Sequence, residues 1–64
     1  MELSMFYVLY SPVKRSYRDE LGYLVQFDKA ERFSKPDEKT LFAVQQEGGK
    51  DFRWVGPCEE GKEP

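Results

Sequence analysis

Lys14, Arg15, Tyr17 and Arg18, four residues within five positions of a 64-residue chain, have the types and spacing that could do chemistry. Lysine and arginine grip phosphate oxygens, and an interleaved tyrosine can stack on a base. The same set suits a protein contact, because Arg and Tyr are enriched among the residues that dominate binding energy. A third use is plain: a solvated loop that keeps a sheet edge soluble. Carboxylates form a second set, at Asp28/Glu31, at Asp37/Glu38 and in the closing "CEEGKEP". Such acids could imitate phosphate charge and compete for a basic channel on a partner. Scattered acids that only solvate a surface look the same in sequence.

Other chemistry is excluded more firmly. The chain has no histidine and a single cysteine, Cys58, so imidazole bases, imidazole metal ligands and thiolate zinc sites are absent. Gly48-Gly49-Lys50 is followed by Asp51 and lacks the spacing of a phosphate-binding loop. Asp37-Glu38 and Glu59-Glu60 read as surface charge before they read as acid/base pairs. A chain this short can hardly enclose a pocket of hundreds of Å³. The expectation is therefore a non-enzyme with no cofactor and no bound metal. Cys58 lies beside acidic residues that favour the unreactive thiol, and reads as an inert passenger.

Length allows one domain near the lower limit for an unaided core, expected over residues 1–57, with 58–64 as a disordered acidic tail. Five Phe, four Tyr and one Trp supply the apolar surface that so small a core needs. A net charge of −2 argues against a protein that wraps nucleic acid. The apolar run Met5 to Tyr10 is far short of the roughly 20 residues that span a bilayer. With no basic segment before it, the run is not a signal peptide either. One cysteine without a partner places the chain in a reducing cytoplasm. Met5 could serve as the start as well as Met1.

The elements that must position these groups follow from pattern. "FYVLY" (6–10) reads as a strand with apolar residues on both faces, central in a sheet or covered by a partner. Ser11 to Asp19 reads as a loop, long for a hairpin. Residues 20–27 read as a second strand, with Leu21, Tyr23, Val25 and Phe27 on one face. Asp28 with Glu31 three residues on forms a capping-box variant that predicts a helix from residue 29. Ser34-Lys35-Pro36 predicts a second helix over 35–46, ended by Gly48. The same stretch can also be read as two strands around a Glu47–Lys50 turn. Asp51 to Gly56 reads as a strand stopped by Gly56-Pro57, with Phe52 and Trp54 on one face. Trp54 fits a core position, or an anchor if exposed. The fold class is α+β: a small antiparallel sheet of about three strands with one or two helices on one face. Its expected core is Val8, Leu21, Tyr23, Val25, Ala30, Phe33, Leu41, Phe52 and Trp54.

"FYVLY", "GYLVQF", "DKAERFS" and "FRWV", spread over residues 6–56, resemble the small orphan accessory proteins of bacteriophages and prophages. In those, the Lys-Ala-x-Arg-Phe-Ser segment starts a helix on a short antiparallel sheet. The resemblance implies an acidic protein that occupies a site on a larger host protein or ribonucleoprotein complex, as inhibitors of host defence such as anti-CRISPR proteins do. It transfers no functional residues. Two other expectations stay open: a nucleic-acid-binding accessory protein using residues 14–18, and a homodimer or larger homo-oligomer built on the outer face of the first strand.

Overall fold

In the computed structural model, which describes residues 5–64, the chain forms β1 (Phe6–Ser11), β2 (Ser16–Arg18), β3 (Leu24–Val25), a 3₁₀ turn (Phe27–Lys29), α1 (Glu38–Gln46) and β4 (Arg53–Cys58). The first four residues of the expected domain lie outside the described residues. The strands make one antiparallel sheet in the order β3-β2-β1-β4. The class is α+β as expected, with four strands in place of about three.

β1 is central because both of its faces are apolar. Phe6 and Val8 are fully buried, in a cluster with Tyr17, Phe27, Ala30 and Cys58. Leu9, on the opposite face, packs with Val44 and Phe52, and Phe33, Leu41 and Trp54 close around them. The helix therefore covers one face of the sheet and the 3₁₀ turn contributes to the other, where both helices were expected on one side. Both faces of β1 are thus covered at Phe6, Val8 and Leu9, while Tyr7 and Tyr10 stay partly exposed.

Four departures from the sequence reading have local physical causes. The segment after β1 is no long loop. Ser16–Arg18 pairs with β1 through Tyr10↔Tyr17 and Ser11↔Ser16, leaving a four-residue turn, Pro12–Arg15, of ordinary hairpin length. The buried Ser11 hydroxyl accepts the Lys14 N–H at 3.1 Å and donates to Asp51, which ties this turn to the start of β4.

The expected strand 20–27 shrinks to Leu24–Val25, because Asp19 and Gly22 turn the chain before it can extend; Leu21 and Tyr23 are then exposed rather than core. The helix expected from residue 29 is only the single 3₁₀ turn. Gln26 stands at its N-cap without a side-chain bond, so Asp28 and Glu31 form no capping box. Extended chain wins here because the sheet offers unpaired backbone groups: Glu31 N–H donates to Arg18 O at 3.1 Å, and Phe33 exchanges bonds with Tyr7 at 2.7 and 2.9 Å. A short helix is marginal by itself, so these sheet bonds decide the matter. The "KAERFS" segment is therefore not the start of a helix.

The second helix does form, and the two-strand alternative does not. Its cap is Asp37 rather than Ser34: the Asp37 carboxylate accepts Lys39 N–H at 3.2 Å and the Thr40 hydroxyl at 2.7 Å. It ends as expected near Gly48, whose φ of +102° suits a residue without Cβ. β4 also continues through Gly56-Pro57, a cis peptide, to Cys58. The pairs Val8↔Val55 and Phe6↔Cys58 leave an extra residue on β4, a bulge that absorbs the Gly-Pro pair. Gly56 is needed there, since a Cβ would lie 2.5 Å from a Tyr7 ring carbon.

Of the expected core, Val8, Ala30 and Phe52 are buried, and Val25, Phe33, Leu41 and Trp54 pack around them. Where a disordered tail was expected, Cys58 sits in the sheet, Lys62 N–H closes a turn on Glu59 O at 3.1 Å, and Glu60 and Glu63 reach Arg32 and Tyr17.

Candidate functional site

The turn between β2 and β3 is built by one carboxylate. Asp19 Oδ1 accepts the N–H groups of both Leu21 and Tyr23, each at 2.9 Å. The backbone adds Asp19 N–H to Tyr23 O at 3.0 Å and Gly22 N–H to Asp19 O at 3.1 Å. Gly22 takes φ +91°, which an L side chain resists, and the Arg18 guanidinium lies where its Cβ would come within 3.5 Å. Arg18 also donates to Asp19 O at 3.3 Å and faces Glu31 at 4.0 Å. The N–H groups of Leu21, Gly22 and Tyr23 are therefore held, yet the side chains carried here are apolar and in water: Leu21 is 75% exposed, Tyr23 66% and Leu24 50%.

Leu21 stands as a ridge between two open clefts. One, about 340 Å³, has Lys14, Leu24, Val44, Glu47 and Phe52 in its walls. The other, about 520 Å³, is lined by Asp19, Lys29, Ala30, Glu31 and Arg32.

The basic set named from sequence is divided by the fold. Lys14 pairs with Asp51 at 3.8 Å and lies 5.8 Å from the Phe52 ring centroid. Arg15 sits exposed in the hairpin turn at φ +52°. Tyr17 is only 5% exposed, packs at a tilt on Tyr10 and edge-on to Phe27, and donates its hydroxyl to Glu63 at 3.1 Å. Burial first and then the Glu63 carboxylate push its pKa up to about 12. Arg18 props the Asp19 turn. No exposed ring stands between Lys14 and Arg18, so stacking on a base there has no platform.

The acidic set is divided as well. Glu31 faces Arg18. Asp37 caps α1, and the Thr40 hydroxyl and Lys39 N–H hold its carboxyl below the usual range. Glu38 is exposed in the first helical turn, where it complements the helix dipole. Asp28 is exposed on the 3₁₀ turn. Cys58 is buried, and burial raises its thiol pKa, which leaves it a poor nucleophile. Trp54 meets Phe33 edge-on at 4.9 Å and is half-buried, a packing residue rather than an exposed anchor.

Sequence reasoning placed Leu21 and Tyr23 in the core and so missed the ridge. The signal that marks it is Asp19 with Gly22 three residues on, an acceptor and a left-handed glycine at turn spacing.

Among the described residues no helix is long and apolar enough to cross a membrane, and no three Cys, Asp or Glu side chains come together as metal ligands would. No protein-family model, no curated protein and no solved structure matches the chain.

Proposed function

We propose that this chain is a non-catalytic protein-binding module whose contact residues are Leu21, Tyr23 and Leu24. The observation that carries the proposal is the Asp19 turn, which fixes the backbone of residues whose apolar side chains stand in water. Leu21 and Leu24 share the wall of one cleft, and an exposed apolar patch rimmed by polar residues is a mark of an interaction site. A rigid turn lowers the ordering cost of using them, because the bound conformation already exists. The surface is convex at Leu21, so the partner supplies an apolar pocket. Arg18, itself held by Glu31 and Asp19 O, lies behind the ridge as a polar rim.

An inhibitor or regulator of a larger host complex in a cytoplasmic setting, the role implied by resemblance to phage and prophage accessory proteins, is the biological form this proposal takes. A test is capture of a partner from a nuclease-treated bacterial lysate, followed by affinity measurement with the purified partner. Leu21→Ala and Tyr23→Ala should each weaken binding by about thirtyfold, the scale of a central hot-spot residue. Affinities within twofold of wild type, in variants that remain folded, would reject the assignment of the surface.

A further inference from the structure

The sheet face that carries Tyr17 and Val25, remote in role from the Leu21 ridge, is flanked by cations and has carboxylates of this chain seated on it. Glu60 is ion-paired with Arg32, and Glu63 accepts the Tyr17 hydroxyl at 3.1 Å. Glu59 instead pairs within its own turn with Lys62 at 3.3 Å, so of these three glutamates Glu60 and Glu63 are the ones that reach back, to Arg32 and to Tyr17 of β2. The Arg32 guanidinium lies 4.4 Å from the Phe6 ring centroid, which holds its charge in place over an apolar floor. Phe27, stacked on Phe6 at 5.9 Å, lines a cleft of about 510 Å³ together with Arg15, Tyr17, Val25, Asp28 and Glu63.

We propose that the Arg15–Tyr17–Arg32 surface binds an acidic peptide segment of a partner protein, and that Glu60 and Glu63 occupy it as a displaceable strap. The seated segment shows the chemistry of the occupant: carboxylates three residues apart, one on a guanidinium and one on a phenol. An acidic peptide fits better than a nucleic acid. The Tyr17 ring is buried and offers no base a stacking face. Exposed contacts of this kind are individually weak, so a partner with more of them can exchange with the strap.

The test is a fluorescence titration of labelled octaglutamate into the full chain at low salt. Glu60→Gln/Glu63→Gln should bind the probe about fivefold more tightly than wild type, the scale of two released surface contacts. Glu38→Gln/Glu47→Gln makes the same charge change at exposed positions on α1 and its C-cap that line neither the 510 Å³ cleft nor the one with Arg32, and should leave affinity unchanged. Adding Arg32→Gln to the strap variant should abolish the gain. Should loss of the Phe6 contact unfold that protein, Arg15→Gln, in the exposed turn, is the substitute and should reduce the gain. Equal gains in both glutamine pairs, no gain in the strap variant, or tighter binding of a labelled oligothymidylate than of octaglutamate would each overturn the proposal.

Discussion

Replacing Asp19 separates the structural role of the turn from the binding role of the side chains it presents. Asp19→Ala removes the acceptor of two 2.9 Å hydrogen bonds, to Leu21 N–H and Tyr23 N–H, and leaves no cavity because the residue is only half-buried. A hydrogen bond contributes about 0.5–1.5 kcal/mol net, and the freed N–H groups in an exposed turn regain water, so the lower half of that range applies to each. The expected loss is about 1–2 kcal/mol for the pair. A domain this small holds only about 3–5 kcal/mol in total, so the loss is a large fraction of it. It should lower the melting temperature by about 4–8 °C per kcal/mol. Asp19→Asn keeps Oδ1 as acceptor and should lose less than half as much. Urea unfolding followed by Trp54 fluorescence measures the stability term, and amide exchange at Leu21 and Tyr23 measures the turn itself. If Asp19→Ala matches wild type in both, the carboxylate does not hold the turn and the preorganised ridge has no basis.

Other outcomes follow from the same geometry. Gly56→Ala should cost about 2–5 kcal/mol, since its Cβ would meet the Tyr7 ring at 2.5 Å from a backbone at φ +151°, and the urea midpoint should fall steeply towards zero denaturant. Ser11→Ala should cost about 1–2 kcal/mol, because it removes a fully buried hydroxyl that accepts Lys14 N–H and donates to Asp51. In acid, the carboxyls of Asp37, Asp51 and Glu60 are held low by the Thr40 hydroxyl, the Ser11 hydroxyl and the Arg32 guanidinium respectively. Their contributions are present above the ordinary carboxylate range near about 4 and fade as pH falls through the lower folded values, so the melting temperature should drop below that range. In alkali the sign reverses: Tyr17 stays protonated in the folded chain up to about 12, so stability should fall as pH rises from about 10 towards that value. Tyr17→Phe should flatten the alkaline fall.

The parts of the fold that were legible in the sequence are those where local and long-range forces agree. β1 announced itself by apolar residues on both faces, and burial on both faces is what a central strand requires. α1 was legible through its formers and Gly48, though its cap lies at Asp37, three residues after the expected Ser34. The failures are places where a nearby polar group outbid periodicity. Leu21 and Tyr23 alternate as a strand should, but the Asp19 carboxylate and Gly22 turn the chain first. Asp28 and Glu31 have capping-box spacing, but the free edges of β1 and β2 near Tyr7 and Arg18 took the backbone of residues 31–33. The basic cluster was visible as letters, yet its division was not: whether Tyr17 lies in a loop or a strand depends on pairing with Tyr10 and Val25, which no local pattern encodes.

The central claim, that the Asp19 turn presents Leu21 and Tyr23 as a protein-binding ridge, is tested most directly by amide shift mapping of the isotopically labelled chain as its captured partner is added. The largest changes should fall on residues 19–24 and on the adjacent cleft wall at Val44 and Phe52. Changes confined to β4 or to the Pro12–Arg15 turn would contradict it.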